Sequence, residues 1–161
     1  MGCLAAGLSC VLAVGCGPGG DAQSRSVAGA PVGREAPAAP APTVYLDFER
    51  ALSAAAERRQ PVFVHFTAEW CQPCKELKRT VYPQADVARR LDSFVRAEVD
   101  IDTPEGKKLA RRYTVQTVPV LMIFDAGGNE LRSLRTVGAT TPERLVTALD
   151  RALEQTTAET G

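Results

Sequence analysis

A pair of cysteines separated by two residues is the feature of this sequence best suited to chemistry. Cys71 and Cys74 flank Gln72 and Pro73, and they follow an apolar run over residues 61–66 that predicts a buried strand. Thiol–disulfide exchange requires one thiolate that attacks a disulfide and a second thiol that releases the mixed disulfide. A C-x-x-C motif in a first helical turn supplies both, because residues three apart share a helix face. The helix N-terminus also lowers the pKa of the first cysteine.

Other uses of the cysteine pair stay open at this stage. A structural disulfide is one alternative, although so short a loop adds little stability under the loop-entropy model. A structural zinc site takes four ligands, and the folded part offers His65 alone as a third soft ligand. Two further alternatives are a copper(I) chaperone, since thiolates favour that metal ion, and a non-catalytic binding module. We expect no metal, and no cofactor beyond the redox-active Cys71–Cys74 disulfide.

The periodicity of apolar residues predicts the elements that position this motif. Helices are predicted from Phe48 with Asp47 as its cap, from Cys71 to about Thr80, over 85–91, from Thr103-Pro104, and from Thr141-Pro142. Strands are predicted over 61–66, 94–101, 120–124 and 131–137, with a hairpin turn at 126–129 and a short strand near Val44. Alternating helices and strands need a central sheet covered on both faces, and the closing hairpin makes that sheet mixed. The predicted fold class is α/β, in one domain over residues 44–155.

The N-terminal segment has the character of an export signal. Residues 1–16 are apolar with small residues at the end, as in a secretory signal peptide. Residues 12–16 resemble a bacterial lipobox, in which the chain is cut before a cysteine, here Cys16, that becomes lipidated. Two features depart from that pattern: no Lys or Arg precedes the apolar run, and Ala13 replaces the usual Leu. A cleaved signal without lipid, or a mis-assigned start codon, stays open beside lipidation at Cys16.

Composition limits the rest of the chain. Residues 17–43 are rich in Gly, Ala and Pro and lack aromatic residues, so we predict a disordered tether there and a disordered C-terminal tail over 156–161. Lys plus Arg and Asp plus Glu number 19 each, which argues against a nucleic-acid partner. No apolar run approaches the roughly 18 residues of a membrane span. We therefore expect membrane contact through the lipid anchor only.

Two segments resemble a known family. Residues 66–75, which include Trp70 and both cysteines, resemble the active-site segment of thioredoxins, and Thr117-Val118-Pro119 resembles the cis-proline loop of that family. The Lys-Glu-Leu-Lys run after Cys74 and the Val-Asp-Ile-Asp run at 99–102 are similar to one branch. That branch contains the periplasmic C-terminal domains of DsbD-type thiol:disulfide interchange proteins. The resemblance covers residues 44–155 and implies a thioredoxin-like fold.

The resemblance also implies roles for individual residues. Cys71 would be the nucleophile and Cys74 the resolving thiol, while Trp70 and the Val118 backbone would seat a substrate peptide. It implies a cis bond before Pro119, whereas an X-Pro bond judged by sequence alone favours trans.

The function so implied is that of an exported thiol–disulfide oxidoreductase. We expect a lipid-anchored monomer in the bacterial cell envelope that faces the periplasm and reduces protein disulfides. A separate membrane thiol-electron donor would re-reduce it. Without such a donor it would act as an oxidase or isomerase.

His65 and Glu98 are the most speculative site residues. His65 stands six residues before Cys71, where thioredoxins usually have a buried Asp, and Glu98 stands on the next strand, where they often have a Lys. We predict that the two form an acid–base pair with exchanged charges. In that pair, His65 would accept the proton of Cys74 while Glu98 orients the ring. The alternative is that His65 only fills the core and that Glu98 points to solvent.

Overall fold

Helices and strands alternate along the chain in the computed structural model, which describes residues 43–158. Five strands, β1 to β5, comprise in order Val44–Tyr45, Val62–Thr67, Val95–Asp100, Val120–Phe124 and Thr136–Val137. Five α-helices, α1 to α5, comprise in order Phe48–Arg58, Gln72–Glu76, Ala85–Leu91, Pro104–Arg112 and Pro142–Ala158. A π-helical turn over Leu77–Val81 continues α2, and a 3₁₀ turn occupies Arg132–Leu134. Within the described range, no helix combines the length and apolar character needed to cross a membrane.

The strands form one mixed sheet in the order β1-β3-β2-β4-β5. Strands β1, β3 and β2 run parallel, whereas β4 is antiparallel to β2 and β5 is antiparallel to β4. This confirms the predicted α/β class with a mixed sheet, and it confirms the short strand near Val44. In the register of the central strands, His65 lies opposite Glu98 on β3 and Leu121 on β4.

The central strand β2 is buried on both faces, so helices must cover the sheet on both sides. On one face, Val64 and Phe66 pack in a cluster that includes residues of α1 and α4. On the other face, Phe63 packs with the π-helical turn, α3 and α5. The end of β2, and with it the start of the motif that follows, is therefore held between two packed layers.

Helices α1 and α4 begin at capping residues that the sequence predicts. Asp47 accepts a hydrogen bond from the amide of Arg50 at 3.1 Å at the start of α1. Thr103 Oγ1 accepts one from the amide of Gly106 at 3.0 Å at the start of α4. Gly106 also lets α4 approach the end of β3, since a Cβ there would lie 1.8 Å from the carbonyl oxygen of Asp100.

Two boundaries differ from the prediction. The predicted strand over 131–137 is wrong for its first part, because Leu134 turns inward as a buried residue of the 3₁₀ turn. The guanidinium of Arg135 binds the nearly buried Glu130 at 2.6 Å and closes that turn. Helix α5 reaches Ala158, three residues into the predicted tail, and within that stretch the Thr156 hydroxyl donates to the carbonyl of Ala152 at 2.5 Å.

Several predictions lie outside the described residues. They are the signal segment over 1–16 with its lipidation site at Cys16, all of the tether except residue 43, and residues 159–161 of the tail.

Gly106→Ala is expected to destabilise the domain. The added Cβ collides with backbone rather than with a flexible side chain, and overpacking of that kind costs about 1–3 kcal/mol in the free energy of unfolding. Urea denaturation followed by circular dichroism measures the change. Lys107→Ala, the next and exposed position of α4, is the matched control and should change stability by less than about 0.5 kcal/mol. Equal stability of Gly106→Ala and wild type would contradict the close approach.

Candidate active site

Cys71 and Cys74 form a disulfide at the N-terminus of α2, with Cα atoms 5.3 Å apart. Cys71 is the N-cap of the helix, and its Sγ accepts a hydrogen bond from the amide of Cys74 at 3.2 Å. Pro73 lies in the first turn, where a residue without an amide hydrogen loses nothing. The predicted placement of the dithiol at the start of a helix is therefore confirmed. In the reduced protein the same amide would stabilise a thiolate on Cys71.

The two cysteines are both buried in the oxidised protein, with 2% of Cys71 and none of Cys74 exposed. Both pack with Ala68, and the partly buried Ile101 and Val118 lie against the same cluster. What distinguishes the two residues is their place in the helix, since Cys71 is the N-cap and Cys74 lies within the first turn.

A cis peptide bond joins Val118 to Pro119 at the entrance to β4. The cis bond predicted from the family resemblance is thus confirmed. The carbonyl of Pro119 accepts a hydrogen bond from the amide of Gly138 at 2.8 Å, which ties the loop to the end of β5. Val118 packs against the cysteine cluster, so this loop lies beside the disulfide.

Trp70 is 64% exposed, directly before the nucleophile, and is not a core residue. Its indole Nε1 donates to Asp102 Oδ2 at 2.8 Å, so the ring is held in place although it faces solvent. The amide of Asp102 in turn donates to Asp100 Oδ1 at 2.9 Å. Sequence reasoning missed the contribution of Asp102, and its place after β3 in the Val-Asp-Ile-Asp run is the signal that could have found it.

The predicted pair of His65 and Glu98 is only partly realised. The two residues are register partners on β2 and β3 and line one cavity, so they share a face of the sheet. However, Glu98 Oε1 accepts a hydrogen bond from Lys78 Nζ at 2.5 Å, and neither ring nitrogen of His65 has a hydrogen-bond partner within residues 43–158. The predicted hydrogen bond between His65 and Glu98 is therefore wrong, because a charged ammonium competes better for the carboxylate than a neutral imidazole does.

Lys78 is the second site residue that sequence reasoning missed. It follows Cys71 by seven residues, and positions i, i+3 and i+7 share one face of a helix, so spacing could have identified it. Burial, together with the smaller effect of the positive charge of Lys78, lowers the pKa of His65 to about 3. The imidazole is therefore neutral at physiological pH.

Across residues 43–158, no group of three or more acidic, histidine or cysteine side chains is arranged to hold a metal ion. The disulfide at the start of α2 is suited to electron transfer between sulfur atoms. The buried neutral imidazole of His65 and the Lys78–Glu98 ion pair lie on one face of the sheet.

Comparisons with known proteins agree with this geometry. Residues 43–126, just over half of the chain, match the family model described as thioredoxin-like. The thiol:disulfide interchange protein DsbD of Ralstonia nicotianae is 33% identical over 109 residues, which are 66% of this chain and 18% of that protein. The matched part of this chain therefore spans less than a fifth of the length of that relative.

Solved structures place the fold in the same group. A thioredoxin from Thermus thermophilus has 30% sequence identity and a TM-score of 0.64, and the match covers 73% of this chain and 92% of that one. The oxidised C-terminal domain of Neisseria meningitidis DsbD has 20% identity and a TM-score of 0.56, with 68% of this chain and 99% of that one covered. The second likeness is one of fold alone. With the family match, the disulfide at the start of α2 and the cis-proline beside it, the chain belongs to the thioredoxin-like family.

Proposed function

We propose that this protein reduces disulfide bonds of other proteins in the bacterial cell envelope. The observation that carries the proposal is the Cys71–Cys74 disulfide at the start of α2, with Cys71 as the N-cap of that helix. Support also comes from the exposed Trp70, next to Cys71 in the chain, and from Val118 of the cis-proline loop, which packs against the cysteines; both offer apolar surface to a polypeptide. The disulfide itself is the only cofactor the reaction uses.

The reaction proceeds in two balanced steps. The Cys71 thiolate attacks one sulfur of the substrate disulfide, so that a mixed disulfide forms and the other substrate sulfur leaves as a thiolate. The Cys74 thiolate then attacks Cys71 Sγ, and the second substrate sulfur leaves. Two electrons have passed to the substrate, and the protein ends with the Cys71–Cys74 disulfide.

An electron donor must then return the protein to the dithiol form. We assign this role to a separate membrane protein that carries a thiol pair, because the relatives include DsbD proteins named for thiol:disulfide interchange. The protein would work as a monomer on the periplasmic side of a membrane, held there by lipid on Cys16. Nucleic acid has no part in this function.

His65 serves in the proposal as a proton relay rather than as a base that keeps the proton. The pKa of His65 is about 3, so transfer of a proton to its ring from a thiol of ordinary pKa would cost about 7 kcal/mol. His65 therefore cannot keep the proton. A neutral imidazole avoids that cost if it accepts a proton at one nitrogen while the other gives its proton to water. Neither ring nitrogen of His65 has a hydrogen-bond partner in the described part of the chain, so no protein group there competes for the two nitrogens.

The dithiol roles predict opposite results for the two cysteines. Cys74→Ser should accumulate mixed disulfides with substrate proteins, because Cys71 still attacks but nothing releases it. Cys71→Ser should lose reduction altogether. Non-reducing electrophoresis and an insulin reduction assay measure both, and the double variant is the control that should trap nothing. Full activity of Cys71→Ser would refute the assignment.

The relay predicts that His65→Gln slows resolution of the mixed disulfide but not its formation. An amide cannot pass a proton, so we expect a loss of about a hundredfold, the lower end for acid–base catalysis. Stopped-flow fluorescence of Trp70, the single tryptophan of the chain, separates the two steps.

Two controls distinguish the relay from packing and from ordinary base catalysis. Phe63→Leu alters the core on the same face of β2 and should leave resolution unchanged; an equal slowing by both variants would assign the effect to packing. Because the pKa of His65 is lowered to about 3, the wild-type rate of resolution should have no inflection near pH 6.5. An inflection there that disappears in His65→Gln would contradict the relay.

The lipid anchor predicts that the mature protein fractionates with membranes. Cys16→Ala should block lipidation and leave the protein unprocessed, whereas Cys10→Ala, a cysteine of the same segment, should behave as wild type. Membrane fractionation with mass spectrometry of the N-terminal peptide provides the measurement. A mature wild-type protein that carries no lipid would exclude the anchor.

A further inference from the structure

The indole of Trp70 is exposed to solvent and yet has a fixed orientation. Its Nε1 donates to Asp102 Oδ2 at 2.8 Å, and the Asp102 amide donates to Asp100 Oδ1 at 2.9 Å. With 64% of the residue exposed, much of the ring is open to contact by another molecule. A substrate that uses this surface meets a ring that is already ordered, so binding costs less conformational entropy.

Negative charge without a counter-ion adjoins this ring. Asp102 contacts the indole, Glu69 precedes Trp70 in the chain, and Asp100 binds the Asp102 amide. Among residues 43–158, none of these three carboxylates forms an ion pair. Lys75, which lines one groove together with Glu69 and Asp100, is likewise unpaired in that range. The free carboxylates therefore outnumber the free ammonium groups at this place.

The groove has a volume of about 330 Å³ and lies beside the cysteines. Thr67 and Ala68 contribute short side chains to its wall, and Ala68 packs against both cysteines. Lys78 and Glu98 also line the groove, but they pair with each other at 2.5 Å. Their charges therefore cancel, and the unpaired carboxylates determine the sign of the local potential.

We propose that the surface formed by Trp70, Asp102 and this groove selects substrate polypeptides with a basic side chain, arginine above all, beside the cysteine under attack. The inference rests on the proposed reductase function, whose substrate class it narrows. The cation would lie against the indole, whose π face is negative and which binds cations better than other aromatic rings do. Its N–H groups would donate to the Asp102 and Glu69 carboxylates, and the planar guanidinium of arginine can both stack and donate.

The cis-proline loop, which also adjoins the disulfide, has no charge to oppose this preference. Residues 116–119 contain no acidic or basic residue, and neither does the segment 137–140, whose Gly138 amide donates to the Pro119 carbonyl. A glutamate in the substrate would therefore meet like charge beside Trp70 and no cation at the loop. A cation–π contact and an ion pair are each weak when exposed, so we expect a preference for arginine of about fivefold.

Three peptides that differ in one residue type test the preference. Each is the disulfide-linked dimer of a blocked peptide Gly-X-Cys-X-Gly, with arginine, glutamine or glutamate as X, and is mixed with the reduced full chain. The rate that persists in Cys71→Ser arises from the other cysteines and is subtracted. Each rate is then divided by the rate of the same peptide with dithiothreitol, which corrects for the intrinsic reactivity of its disulfide.

The corrected rate should be about fivefold higher for the arginine peptide than for the glutamine peptide, and lowest for the glutamate peptide. The difference should shrink in about 0.5 M salt, because exposed charges are screened. Equal corrected rates for arginine and glutamine would overturn the inference alone. A wild-type rate no higher than that of Cys71→Ser with all three peptides would overturn the reductase function as well.

Variants assign the preference to particular groups. Asp102→Asn removes the charge but keeps an oxygen that can accept from the indole, so the arginine-to-glutamine ratio should fall from about fivefold to about twofold. Trp70→Leu removes the ring and should lower the same ratio. Glu105→Gln is the matched control, since Glu105 is already paired with Lys108 at 3.3 Å, and it should keep the wild-type ratio. An unchanged ratio in both Asp102→Asn and Trp70→Leu would refute the assignment.

Discussion

The hydrogen bond from the amide of Cys74 to Cys71 Sγ is the interaction around which the site is arranged. It exists because Cys71 is the N-cap of α2, where a backbone amide has no helical partner and a sulfur can take that place. This position requires α2 to begin soon after β2 ends, and the two buried faces of β2 hold that junction in place. The capping position of Cys71 and the burial of Cys74 both follow from the same turn of helix.

The surface beside the disulfide is held by contacts that cross from other strands. Asp102, at the end of β3, fixes the indole of Trp70, and the close approach at Gly106 positions the helix that follows. On the other side, the bond between Gly138 and the Pro119 carbonyl connects β5 to the cis-proline loop. Each contact uses a residue from the end of a strand, so the sheet aligns several loops on one sulfur pair.

The face of the sheet behind the motif has an unusual distribution of charge. The ionic groups Lys78 and Glu98 pair with each other at the half-exposed edge, while the buried His65 is neutral and has no hydrogen-bond partner among residues 43–158. An isolated buried charge is costly, so exclusion of the charge from the interior is the lower-energy arrangement. It leaves a neutral polar group in the interior behind the motif, which is the basis of the relay proposed above.

The sequence by itself determined the features that depend on neighbouring residues. The caps at Asp47 and Thr103, the helix over 85–91 and the C-x-x-C motif at a helix start all involve residues within a few positions of each other, so their signals are local. The α/β class also followed, because alternating elements admit few arrangements.

Only the tertiary structure decided the contacts between distant residues. The register of β2 and β3 brought His65 opposite Glu98 as expected, but Lys78 from the π-helical turn took the carboxylate. That outcome depends on which of two donors, Lys78 or His65, binds the Glu98 carboxylate. A charged ammonium within reach binds a carboxylate more strongly than a neutral imidazole does. The short β5 and the bond between Trp70 and Asp102 were likewise set by packing across the sheet.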